Sequence, residues 1–355
     1  MNIIFRKDDE KRFSELWSDF ISDKPFSGLY SLLFLKYMTV YSKDFTKDLS
    51  FVAEEGGKCV AIVPLFLENP GGSPQFTYGN SFIRAPICTN NKVEKTIFSK
   101  IDELAKEYCA VKTMQMVDPS YWLFTEEKSN LLQKYGYLDA SLSTNVVDLS
   151  VPEERLFSGL RCYQNNCYKS EIKTLTGNDF SVEISDNTCP DKSLHEEYRV
   201  MHAKAAGRVT RSKETFDLQF QMLKEGVSTL FCLKHSGKPV SFTYFTHSNL
   251  HAYYGSGAED PDCGIKSGLY TTLIWEAMKY YKKRGVKYLE TGWQQFGPQL
   301  FDNPSKKDVA LSFFKRGFGG FNIPLMRGVK YYDSSALEQD ISEAVKNLKS
   351  GLPSE

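Results

Sequence analysis

The residues of this 355-residue chain that could do chemistry gather between 250 and 320. Gly264, Ile265, Lys266, Ser267 and Gly268 form a glycine-bounded loop ahead of a stretch whose apolar residues Leu269, Leu273, Ile274, Ala277, Met278 and Tyr281 recur at helical spacing. The first N–H groups of a helix have no partner within it, so such a loop can cradle an anion, here with the Lys266 ammonium beside it. A β-prone aromatic run, 250–255, precedes the loop, and a second strand, 286–291, follows Arg284 and Gly285. At the exit of that strand lie Glu290 and Trp293: the carboxylate could take a proton from an attacking amine, and the indole could wall a sugar or acyl chain. His251 is the remaining proton-acceptor candidate. Tyr253 and Tyr254 point to opposite faces of one strand, so one of them faces a cleft, and Tyr254 is taken as the substrate-wall residue. Arg208 and Arg211, in the connector GRVTR, have the planar donors that grip a diphosphate.

These groups must be positioned by more than one unit. The hairpin-like stretch 49–68 turns at Gly56-Gly57-Lys58, and the stretch 228–247 turns at Ser236-Gly237-Lys238. After each comes an aromatic strand, FTYGNS at 76–81 and AYYGSG at 252–257, and then a helix leading to a strand that begins with valine and lysine at 111 and 286. Three features in one order at nearly one offset point to duplication and to two similar domains. The first copy has Ser81-Phe82-Ile83-Arg84-Ala85-Pro86 where the second has its glycine loop, so it is read as a degenerate copy that walls the acceptor cleft. The expected division is 1–151, 152–335 and a C-terminal helix or tail at 336–355. Further helices are expected at 8–22, 28–42, 128–139, from 152 toward 176 with Arg161, Tyr163, Tyr168 and Lys169, and at 191–226, where Ser212 is the expected N-cap.

Forty-four basic and 44 acidic side chains leave no net charge. Nothing in that balance asks for DNA or an acidic membrane. The chain has no apolar run of bilayer length and begins with a polar segment, so a cytoplasmic protein without a membrane span is expected. Eight scattered cysteines without metal-ligand spacing read as free thiols, with no metal site. His247 and His251, either side of Ser248-Asn249, read as surface residues at a hairpin tip. No exposed apolar helix stands out, and a homodimer is left open.

The ending FFKRGFGG at 313–320, with AAGRVTR at 205–211, resembles the C-terminal half of the Fem-type transferases of the GNAT superfamily of N-acyltransferases. The resemblance covers roughly 155–330. It implies an α/β fold with mixed sheets and two tandem GNAT-like domains, the first degenerate. An acyl donor would be seated at the loop before the Leu269 helix, with its arm between two splayed strands, and an acceptor would lie near the basic corner. Lys315 fits the lysine of the family's FK-x-GFG pattern, near the transfer site, and Arg316 adds charge for substrate. Fem-type proteins are known with aminoacyl-tRNA donors acting on peptidoglycan precursors and with acyl-CoA donors acting on small molecules. Neutral charge, the absence of a coiled-coil arm and the glycine loop favour coenzyme A as co-substrate. The expected reaction moves an acyl group to the amine of a dTDP- or UDP-linked amino sugar for surface polysaccharide. Transfer from tRNA is the alternative, and a non-catalytic binding protein the third reading.

Overall fold

The computed structural model describes residues 1–350 except 23, 27, 127, 164, 165, 177 and 178. Both expected hairpins form. Phe51–Glu55 pairs with Lys58–Val63 through Gly56 and Gly57, and Ser228–His235 pairs with Lys238–His247 through Ser236 and Gly237. All four turn residues have positive φ, the conformation that a two-residue hairpin turn of the right twist needs.

In the C-terminal half, His251–Glu259 leads through the helix Leu269–Lys283 to the parallel strand Tyr288–Gln294. In the N-terminal half, Gln75–Phe76 leads through the helix Asn91–Glu107 to the parallel strand Lys112–Met116. The two halves thus repeat one hairpin, crossover helix and parallel strand, a mixed α/β fold of two similar units. The first copy is the more broken one, its aromatic segment divided among Gln75–Phe76, Ile83–Arg84 and Ile87–Cys88.

The units are stapled by exchanged strands. The C-terminal sheet runs Phe180–Ser185, Ser228–His235, Lys238–His247, His251–Glu259, Tyr288–Gln294, Leu142–Asp148 and Phe321–Leu325. Leu142–Asp148, from the first 151 residues, therefore lies inside the second unit's sheet. Conversely, Arg327–Tyr331 pairs with Lys112–Met116 in the N-terminal sheet, and with Leu138–Asp139 on its other side. Residues 138–148 and 321–331 are one antiparallel ribbon crossing from sheet to sheet, kept continuous where the Ala140 N–H donates to Arg327 O at 3.1 Å. Its apolar side chains, Ala140, Leu142, Leu325 and Val329, bury together with Phe82 and Met116.

Several local expectations are corrected. Residues 152–176 are not one helix: Glu153–Gly159 and Tyr168–Thr174 are separate, and a short hairpin between them opposes Cys162 to Cys167, which form a disulfide. Those two are therefore not free thiols, whereas Cys59, Cys88, Cys109, Cys189, Cys232 and Cys263 are. The hairpin makes the pair, and nothing in the bare spacing announces it. Residues 128–139 hold one short 3-10 turn, Leu131–Tyr135, and then a strand, and 28–42 hold a 3-10 turn, Gly28–Tyr30, followed by the helix Leu32–Tyr41. Ser212 is the N-cap of the helix Lys213–Lys224, as expected, but makes no side-chain cap bond. His247 and His251 are buried, because the tip between them folds back so that Ser248 N–H donates to His251 O at 2.8 Å and both rings turn into the structure.

Two measurable consequences follow from this packing. Gly320, at φ +81°, turns the chain into the ribbon, and a Cβ there would sit 2.1 Å from Val146 O, so Gly320→Ala should lower stability by about 2 kcal/mol or more in denaturant unfolding. His195, His202 and His247 each have a pKa lowered from 6.5 to about 4, first by burial and then by a nearby arginine, Arg211 for the first two and Arg284 for His247. The unfolded chain then binds more protons than the folded one below pH 6.5, so stability present above that value is lost as pH falls toward 4. Unfolding midpoints measured from pH 7 to 4 should decline over this window, and less steeply in His195→Phe.

Candidate functional site

The strands His251–Glu259 and Tyr288–Gln294 pair only through His251↔Tyr288, Ala252↔Leu289 and Tyr253↔Glu290. Beyond Tyr253 each continues with its other neighbour alone, the first with Lys238–His247 and the second with Leu142–Asp148. The sheet therefore splits at its centre, as the splayed-strand expectation required. Both sides of the split carry irregularities: Gly255 is skipped in the pairing between Tyr244↔Ser256 and Phe245↔Tyr254, and Thr291 between Gly292 and Glu290. Such bulges bend a strand and raise its twist.

Below the split lies a buried polar cluster. Glu290 is 1% exposed and His251 0%, and Thr144 donates to Glu290 Oε1 at 2.6 Å. The second oxygen, Oε2, lies 3.3 Å from His251 Nε2. Among the described residues neither that oxygen nor either imidazole nitrogen has a well-formed hydrogen bond, an arrangement that is costly to bury. Lys315 reaches the same place from the helix Lys306–Arg316. Its Nζ is 2.9 Å from where a Cβ on Gly292 would stand, so the absent side chain at Gly292, φ +110°, makes its room. Burial lowers the Lys315 pKa and the nearby Glu290 carboxylate opposes that shift. The structure thus brings together His251, Glu290 and Lys315, three residues far apart in sequence.

On one side of the split, between the two units, opens a cleft of about 550 Å³, within the range of small-molecule sites. Tyr37, Tyr41, Tyr78, Phe82 and Arg84 line it from the N-terminal half, and Arg211, Tyr253, Ser256 and Trp293 from the C-terminal half. Arg211 donates to Tyr37 OH at 2.7 Å and Tyr198 OH at 3.1 Å and stacks 4.2 Å from the Phe216 ring, with its Nε buried and unpartnered. Among the described residues no carboxylate forms an ion pair with it. Arg84, also buried, lies 3.7 Å from Asp118. The cleft therefore carries uncompensated positive charge behind aromatic walls.

Of the other residues singled out in the sequence, Trp293 lines the cleft, whereas Arg208 is exposed outside it. Tyr254 turns to the opposite face and packs on Phe245, leaving Tyr253 as the tyrosine that faces the cleft. Gly264, Ile265, Lys266 and Ser267 form a largely exposed loop. Its backbone hydrogen bonds end where Cys263 N–H donates to Asp260 O, and Gly268, φ +93°, is the N-cap of the next helix. Two carboxylates stand at that helix start: Glu259 accepts from Tyr270 N–H at 3.2 Å and Glu171 from Thr271 Oγ1 at 2.9 Å. Gly268 is required by its left-handed backbone and by close packing, since a Cβ there would be 3.0 Å from Glu171 Cβ and Leu175 Cδ1. Arg316, half-buried, donates to the buried Gln294 Oε1 at 2.9 Å.

Arg84 and Tyr37 are among the cleft residues to which the sequence assigned no role of their own. For Arg84 a signal existed, an arginine amid Phe82, Ile83, Ala85 and Pro86, since a charge in an apolar run is either buried for a purpose or paired. For Tyr37 there was none, because it reads as one more apolar residue of an N-terminal helix.

Among protein families, the acetyltransferase (GNAT) domain matches residues 189–298, the span that contains Arg211, the split strands and the loop. No curated protein matches the chain. Among solved structures the fold is similar to FemX, with a TM-score of 0.67 at 12% identity over 96% of this chain and 99% of that one. It is similar to a C-terminal domain from Agrobacterium fabrum named for a lysylphosphatidylglycerol synthetase, with a TM-score of 0.58 at 12% identity over 95% of each chain. A tandem GNAT protein from the clavulanic acid biosynthesis pathway gives 0.51 at 12% identity over 93% of this chain and 98% of that one. At these identities the likeness is one of fold. The chain thus has a tandem GNAT-like fold in which residues 189–298 match an acetyltransferase (GNAT) domain, and this supports an N-acyltransferase.

Proposed function

We propose that the protein transfers an acyl group from coenzyme A to the amine of a phosphate-bearing acceptor, a dTDP- or UDP-linked amino sugar of surface polysaccharide synthesis. The observation that carries this reading is Arg211, a half-buried guanidinium with a buried, unpartnered Nε and, among the described residues, no carboxylate in ion-pair reach, in a cleft walled by Tyr37, Tyr253 and Trp293. A charge so placed is costly unless a ligand neutralises it, and a diphosphate with a ring system on either side fits both the charge and the aromatic walls. Arg84, ion-paired with Asp118, adds a guanidinium to the cleft wall from the N-terminal unit.

The acyl carbonyl would lie in the split between the strands. There the acceptor nitrogen attacks the carbonyl carbon, the carbon–sulfur bond breaks, and the proton lost by nitrogen leaves with the thiolate. Lys315, whose ammonium reaches the split beside Gly292, would meet the developing oxyanion. Glu290 and His251 do not line the cleft and would act through Lys315 and Tyr253, holding negative charge beneath them. The loop 264–268 would contact the donor from the other side of the split, its Lys266 set against Glu171 and Glu259. In domain terms, 152–335 would bind the donor and 1–151 shape the acceptor wall, with the exchanged ribbon fixing the distance between them.

An aminoacyl donor is the second reading. It is favoured by the likeness of fold to FemX and to a domain named for a lysylphosphatidylglycerol synthetase. Thiol release on adding acyl-CoA with a nucleotide amino sugar supports the first reading, and ribonuclease-sensitive transfer from charged tRNA supports the second. Arg211→Gln should raise the acceptor KM about tenfold or more, as the loss of a charge-assisted bond does, and leave the donor KM in place. An unchanged acceptor KM in that variant would remove the acceptor assignment.

A further inference from the structure

A second uncompensated cationic site lies outside the cleft, on the C-terminal end of the helix Lys306–Arg316. Arg161 Nη1 donates to Phe313 O at 2.7 Å, Nη2 to Tyr168 OH, and its Nε is buried without a partner. Its guanidinium lies 4.0 Å from the Phe313 ring centroid. Arg316 lies 4.5 Å from the Phe296 ring and 5.9 Å from that of Phe313. Arg161 is near enough to act on Arg316, whose pKa is lowered by burial and then by Arg161. Among the described residues neither forms an ion pair with a carboxylate. Both rings are open to solvent, Phe296 at 60% and Phe313 at 50% exposure.

Two like charges held together beside exposed rings are unfavourable by themselves and complementary to an anion that brings a flat ring. The position fits the donor. Lys315 enters the strand split at Gly292, and Arg316, the next residue, holds Gln294 on the rim of the same strand. On the opposite rim, the start of the helix Leu269–Lys283 is occupied by Glu171 and Glu259, which repel phosphate.

We infer that Arg161, Phe313, Arg316 and Phe296 bind the adenosine-phosphate end of the acyl donor, the base stacked on the phenyl rings and a phosphate held by the guanidinium groups. This rests on the donor-dependent transfer proposed above and names the part of the donor that the rim recognises. Adenosine phosphate ends both coenzyme A and the acceptor strand of a tRNA, so the chemistry is shared by the two donors.

The test is equilibrium binding of adenosine 3′,5′-bisphosphate to the full chain, followed by titration, in wild type, Arg316→Gln and Phe313→Leu. Phe313 is exposed and Arg316 half-buried, and thermal unfolding of each variant checks that it remains folded. Wild type should bind, and more weakly as salt rises. Each variant should lose about tenfold or more in affinity, while binding of an S-acyl-pantetheine, which lacks the nucleotide, stays the same. Displacement of the bisphosphate by coenzyme A assigns the source to a thioester donor, and displacement by a short RNA ending in CCA assigns it to tRNA. Absence of binding to wild type, or equal affinity in the folded variants, overturns the inference. Failure of acyl transfer with bisphosphate binding intact would instead overturn the proposed reaction and leave this site standing.

Discussion

The pairing of 138–148 with 321–331 is the constraint on which the rest of the structure depends. An antiparallel ribbon that crosses between two sheets ties each unit to a strand contributed by the other, so neither sheet is complete from one contiguous half of the chain. Arg327 sits at the crossing, almost wholly buried, donating from Nε to Ala140 O at 2.8 Å and lying 4.3 Å from the Phe82 ring and 5.2 Å from that of Trp293. Burial lowers its pKa to about 10. A guanidinium in that position is tolerated because aromatic faces and a carbonyl replace part of its hydration. Trp293 is also a cleft wall, so the crossing and the cleft share a side chain.

From this follows the geometry of the split. Leu142–Asp148 supplies the partner that lets Tyr288–Gln294 run on after it leaves His251–Glu259. Without an exchanged strand on that side, the second half of Tyr288–Gln294 would be an unpaired edge, and a gap at the middle of the sheet would expose backbone donors on both sides. The glycines serve the same end. Gly292 leaves space for Lys315, and Gly320 lets the chain pass Val146 at a distance no side chain permits.

Electrostatically the molecule is divided. Its charges cancel in sum, yet among the described residues Arg211, Lys315, Arg161 and Arg316 stand around the split and the cleft without a carboxylate in ion-pair distance, while Glu171 and Glu259 gather at the start of the Leu269–Lys283 helix. A neutral total is therefore a weak guide to what a protein binds. Local charge in a desolvated site, where screening is poor, decides which anions are held.

The hairpins, the crossover helix and the tandem layout were legible in the sequence because they are set by local chemistry: glycine at positive φ, and apolar residues at a period of 3.6 such as Phe13, Leu16, Trp17 and Phe20, all buried in the helix Glu10–Ser22. Lys315, Glu290 and Trp293 were legible as residue types in a suggestive order. What sequence alone could not decide is which strands cross, and with them which side chains meet. A strand's partner is chosen by long-range pairing and burial, and 142–148 reads the same whether it ends one unit or completes the other. For that reason Tyr253 rather than Tyr254 faces the cleft, and Arg84 and Arg211 converge from opposite halves. Periodicity and turn chemistry act over a few residues, whereas these juxtapositions are set by contacts between residues more than a hundred positions apart.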